Sequence, residues 1–194
     1  MSHIVMFRST RWCLMAVMTL IPAAFGTVRA EDPPAASKMV LADGLLELQT
    51  PADWKVVPPK SNIIQYEFRA PKDAKEADQA RVTVMSAGGG IQANIDRWKG
   101  QFELSEKEVV EKKEVSGQTL HLVDLKGTFK ESMGGPFAGG AGGVKKMNNY
   151  RMLGVIIETK NAGTVFVKMT GPEAIVEKQK EAWLKMLDGM KATL

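Results

Sequence analysis

Residues 81–102, RVTVMSAGGGIQANIDRWKGQF, change period half-way, and that change decides the fold. Val82 and Val84 point one way, Thr83 and Met85 the other. This is the two-residue period of a β-strand, in β-branched residues suited to it. After Gly88-Gly89-Gly90 the apolar positions become Ile91, Ile95, Trp98 and Phe102, spaced four, three and four. That spacing gathers all four on one face of an α-helix and leaves Asn94, Asp96, Arg97 and Lys99 for solvent. A strand leading into such a helix calls for a sheet on which the two aromatics can pack.

Working towards the N-terminus, residues 45–49 predict a strand, and Pro51-Ala52-Asp53-Trp54 a turn carrying a large aromatic. Residues 63–69 predict a second strand, ended by Pro71. Residues 72–79 are charged and lack an apolar face, so they read as a solvated loop. Towards the C-terminus, residues 108–115 pair with 118–129 across Ser116-Gly117, and 149–159 with 164–170 across Asn161-Ala162-Gly163. Val155, Ile156 and Ile157 are consecutive and apolar, as in a central strand covered on both faces. Thr170 and Glu173 have capping-box spacing, with Pro172 in the first turn of a last helix. Its buried stripe is Val176, Ala182, Trp183, Met186, Leu187 and Met190. Two separated helices and about seven strands joined mostly by short turns make an α+β fold, a central antiparallel sheet with one helix on each face.

The N-terminus reads as an address. Arg8 and Arg11 precede an apolar run shorter than the ~20 residues a spanning helix wants, and Val28-Arg29-Ala30 offers small residues where a signal peptidase reads. The expected organisation is therefore a cleaved signal at 1–30, a flexible leader at 31–38 and one domain at 39–194. The localisation expected is periplasmic or extracellular. The 194-residue chain carries 26 basic and 22 acidic side chains. Residues 1–30 hold three of the arginines and no acid, so 23 and 22 remain and the chain is nearly neutral without them. Nothing in that balance asks for nucleic acid as a partner. The single cysteine, Cys13, lies in the same segment. The rest has no thiol nucleophile and no disulfide.

Two glycine-rich stretches are candidates for ligand contact. Residues 132–147, SMGGPFAGGAGGVKKM, predict a mobile loop between two strands. They are not a phosphate loop: Ala141 stands where lysine is required, and no helix follows. Lys126, Lys130, Lys145, Lys146 and Arg151 surround the stretch against one acid, Glu131, which suits an anion met by backbone N–H groups. Gly88, Gly89 and Gly90 precede a helix start, also a place for an anion, although a tight strand-to-helix turn explains them too. The candidate ligand-binding residues are Gly88, Gly89, Gly90, Arg97, Lys145, Lys146 and Arg151. Ser86 closes a near miss of the nucleophile elbow, with Val84 in place of its first glycine. The base it would need is His121, in mid-strand among Leu120, Leu122 and Val123. One histidine outside the leader and no Asp-rich loop supply no metal site. No cofactor and no metal are expected.

Pro51 to Trp54, NIDRWKGQF at 94–102, YRMLGVIIET at 150–159, FVKMTGP at 166–172 and a Trp-bearing terminal helix together resemble a group of exported bacterial proteins of unknown function. Their order of elements is similar to the PsbP-like fold, an antiparallel sheet sandwiched by helices. PsbP-like proteins include an extrinsic photosystem subunit and a Ran-binding import factor. The resemblance therefore implies binding rather than a shared reaction, and it carries no catalytic residues. The function expected is an exported, non-catalytic binding or accessory domain that meets a small anionic ligand or a protein partner near the long glycine-rich loop. The alternatives are an envelope hydrolase using Ser86 or a carboxylate, and a structural subunit of an envelope complex.

Overall fold

The computed structural model describes residues 37–132, 143–160 and 162–193. The expected signal at 1–30, most of the expected leader and residues 133–142 of the glycine-rich stretch lie outside the described residues. The chain forms β1 (Lys38–Leu41), β2 (Leu46–Gln49), β3 (Lys55–Val57), β4 (Tyr66–Ala70), β5 (Ala80–Ser86), α1 (Ile91–Gly100), β6 (Phe102–Leu104), β7 (Val109–Val115), β8 (Gln118–Ser132), β9 (Val144–Glu158), β10 (Thr164–Pro172), α2 (Glu173–Asp188) and β11 (Lys191–Ala192). An eight-stranded antiparallel sheet runs β3-β4-β5-β10-β9-β8-β6, with β7 also paired to β8. A second sheet, β1-β2-β11, has three strands.

Period-two alternation sends each strand's residues to two different cores. Val82, Val84, Val155, Ile157, Val165, Val167 and Met169 face α2 and the small sheet. There they meet Trp183, Met186, Leu187, Leu46 and Leu48. The opposite face carries Val123, Leu125, Met152, Ile156 and Phe166, and α1 covers them with Ile95 and Trp98. Val155, Ile156 and Ile157 are fully buried because β9 lies between β10 and β8 with a layer on each face.

Several expectations need amendment. Lys38 belongs to β1, and the hydroxyls of Ser37 and Thr50 lie 2.9 Å apart, so the ordered chain reaches back into the expected leader. β1, β3 and β11 have two to four residues each, too short for a period to register. Thr170 and Glu173 do not form a capping box: Pro172 is the N-cap, with no side-chain cap, and Thr170 stays in β10. The turn at Trp54 is part of the core, its indole N–H donating to Gln179 Oε1 of α2 at 2.9 Å.

Two details shape the face beneath α1. Gly154 of β9 lets the helix dock, since a Cβ there would lie 2.5 Å from the Trp98 ring. Between β8 and β9 the register slips: Phe129 pairs with Met147, but Gly127 pairs with Tyr150, leaving one extra residue on β9. This is a β-bulge, which bends and twists the ladder. It keeps Phe129, Met147 and Tyr150 on one face, where Phe129 and Tyr150 stack with centroids 6.2 Å apart.

Candidate functional site

α1 has ten residues, about 15 Å of helix. It covers β8, β9 and the Phe166 end of β10, then stops. The α1-side positions of β4, β5 and the far half of β10 are left without a covering helix. Register sets them in two rows, Glu67–Thr83–Lys168 and Arg69–Arg81–Thr170. The β8–β9 extension walls this floor on one side, and the loop at 76–79 lies on the other. The resulting open cavity has a volume of ≈ 810 Å³, within the range of small-molecule sites. A shallower recess of ≈ 430 Å³ continues from it past Lys60, Arg69, Glu76 and Gln79. A separate cleft between β7, β8 and α2 measures only ≈ 120 Å³.

The cavity lining holds six cationic side chains and two acidic ones, so its field is positive. Some of that charge is already compensated. Arg81 clasps Glu67 through Nε at 2.8 Å and a terminal nitrogen at 3.0 Å. Burial would raise the Glu67 carboxyl, but Arg81, the Lys60 backbone N–H and the field of Arg69 together hold it below the ordinary value. Arg69 reaches Glu76 at 3.6 Å. Lys168 is different. Among the described residues it forms no ion pair, and its Nζ donates only to Gln101 Oε1, at 3.2 Å. Burial on the cavity floor, then the neighbouring charges of Arg81 and Arg97, push its ammonium down to about 8. Beside it the Thr170 hydroxyl is sealed from solvent and has no hydrogen-bond partner among the described residues. A cation without a counter-ion, facing a cavity, is a group that an incoming anion satisfies.

The seven expected ligand residues do not converge. Lys145 lines the cavity from the β8–β9 wall. Lys146, one position on, faces the other way and pairs with Glu103 at 2.7 Å. Arg151 is turned towards α2 and is 2% exposed. Its guanidinium grips Asp124 at 2.8 and 2.5 Å and also bonds Glu177. The hydrogen bonds it donates to Asp124 hold its proton more tightly than usual against the desolvation. Its donors are spent inside the protein. Arg97 donates to Asn94 Oδ1 at 2.6 Å and adds positive field at Lys168. Gly88, Gly89 and Gly90 lie at the opposite end of α1 from Lys145, and Asn94 Nδ2 ties the carbonyls of Gly88 and Gly90. Ser86 and His121 are three strands apart, on opposite faces. At ordinary strand spacing that is ~14 Å. His121 instead bonds Glu158 at 2.6 Å.

Sequence reasoning missed Lys168. In FVKMTGP it reads as the outward residue of an alternating strand. The only available signal was Lys168 and Thr170 sharing the face of Thr83 across two strands that had not yet been paired.

No protein family matches the sequence, and none of the curated proteins does. Among solved structures, the solution structure of cyanobacterial PsbP (CyanoP) from Synechocystis sp. PCC 6803 is similar, with a TM-score of 0.50 at 12% identity. The match covers 87% of this chain and 96% of that one. LpqN of Mycobacterium tuberculosis, involved in cell envelope biogenesis, matches with a TM-score of 0.47 at 13% identity, over 82% of this chain and 86% of its own. The chain has a PsbP-like α+β fold, and at this identity the likeness is one of fold.

Proposed function

We propose, with that fold as the premise, that the protein is an exported, non-catalytic accessory domain that binds a small anionic ligand in the cavity on the α1 face. The binding domain takes in Ser37 and Lys38 with residues 39–194, and residues 1–30 serve export. The observation that carries the reading is Lys168: a cation on a cavity floor, held by one amide oxygen and by no carboxylate among the described residues. Lys168 contacts the anion, Arg81 and Arg97 supply positive field, and Lys145 guards the wall. Arg151 and Lys146 hold the scaffold and do not touch the ligand. A buried charge is costly unless paired, so ligand charge and site charge stabilise one another. The distance between Ser86 and His121 speaks against a serine hydrolase built on that pair.

Native mass spectrometry of protein taken from its natural source tests this. The expected result is a bound small molecule in the wild type that is absent from Lys168→Met and reduced in Lys145→Glu. Identical spectra for all three proteins would contradict it.

A further inference from the structure

The cavity's lining is charged on floor and walls alike, but it also carries an apolar strip. Met85 of β5, Phe129 of β8, and Met147 and Tyr150 of β9 all line it and are half-buried. Ile64, ahead of β4, closes the same space. Met85, Phe129 and Tyr150 pack against the core beneath α1 without being fully buried. The bulge between β8 and β9 directs three of them inward. A fully hydrated anion such as phosphate would leave that wall wet, whereas an apolar body laid on it removes the wall from water. Charged groups and an apolar strip thus share one space.

We propose that the ligand is an amphipathic anion: a carboxylate-type head on Lys168, and an aliphatic or aromatic body against Met85, Phe129, Met147 and Tyr150. This rests on the anion-site reading above and adds the class of molecule. The head is placed at Lys168 because Arg81 and Arg69 already hold Glu67 and Glu76, which leaves Lys168 as the floor's cation without an ion pair among the described residues, while Lys60, Lys130 and Lys145 stand on the walls.

Isothermal titration of the purified protein with octanoate, 1-octanol, acetate and inorganic phosphate tests the assignment. Octanoate binds, and acetate binds about a hundredfold more weakly or worse because the buried chain is lost. Octanol binds about tenfold or more weaker than octanoate because the charge-assisted hydrogen bonds are lost. Lys168→Met brings octanoate down to the octanol level. The double variant Met85→Gln/Met147→Gln weakens octanoate about tenfold and leaves any phosphate binding unchanged. Lys168→Gln repeats the head-group arm should the methionine variant misfold. Phosphate binding as tightly as octanoate, with the methionine substitutions silent, overturns the amphipathic assignment and leaves the anion site standing. Octanol binding as tightly as octanoate, or no binding by any anion, overturns both.

Discussion

Lys168 Nζ donates to Gln101 Oε1 across 3.2 Å, so the amine on the cavity floor is held by an amide from the turn after α1 rather than by a carboxylate. That single neutral contact links the end of the helix to the middle of the sheet. It leaves the ammonium poorly solvated and electrostatically uncompensated, which is unfavourable for folding and favourable for binding.

Lys168→Met should therefore stabilise the empty protein at pH 7, by ~1–3 kcal/mol, since apolar replacement of a buried charge is often neutral or better. The sign with pH follows from linkage. The folded-state value is about 8 against the ordinary 10.5, so between those values the unfolded chain binds more protons. Wild-type stability should rise relative to Lys168→Met across that window, and the difference should be constant below it. Urea titrations of both proteins between pH 7 and 10.5 check this; parallel curves would refute it.

Glu67 supplies the opposite pH signature. Its folded-state value lies below the ordinary 4.5, so its stabilisation is present above about 4.5 and is lost as pH falls through the folded value. Glu67→Gln should cost ~1–3 kcal/mol at pH 7, because Arg81 loses a charged acceptor. It should also flatten the acid limb of the stability curve. An acid limb identical in both proteins would show that other carboxylates set it.

Gly154→Ala tests the docking of α1. The added Cβ would lie 2.5 Å from Trp98, whose ring is packed edge-on against Phe166 at 5.9 Å. Overpacking of this kind costs ~1–3 kcal/mol. Because the helix end carries Gln101, octanoate affinity should fall as well. A variant with wild-type stability and affinity would mean that α1 adjusts freely.

Arg151→Ala separates scaffold from site. Removing a guanidinium that serves Asp124 and Glu177 should destabilise the fold by ~3–5 kcal/mol, as expected for one half of a buried ion pair. Anion affinity, measured below the unfolding transition, should stay unchanged because Arg151 faces α2. A loss of affinity without loss of stability would return Arg151 to the ligand.

Most of the scaffold was legible because its signals are local. The period change after Gly90, the Ser116-Gly117 hairpin and the apolar triplet at 155–157 each occupy a few consecutive residues, and all three appear as expected. The site was not legible, because it is made by pairing. Arg151 looks free until β8 brings Asp124, 27 positions away, and α2 brings Glu177, 26 positions away, to its guanidinium. Thr170 has the spacing of a helix cap until β10 runs on to Pro172 and claims it. Lys168 looks solvated until α1 ends short and the β8–β9 wall rises beside it. The small sheet was invisible for a simpler reason: β11 contributes only two residues.

The central claim is that Lys168 is an uncompensated ammonium awaiting an anion, and NMR titration of its side-chain resonances measures that directly. The account predicts a midpoint near 8 in the empty protein, moving upward when octanoate is added. A midpoint at the ordinary 10.5 that ignores every anion offered would contradict it.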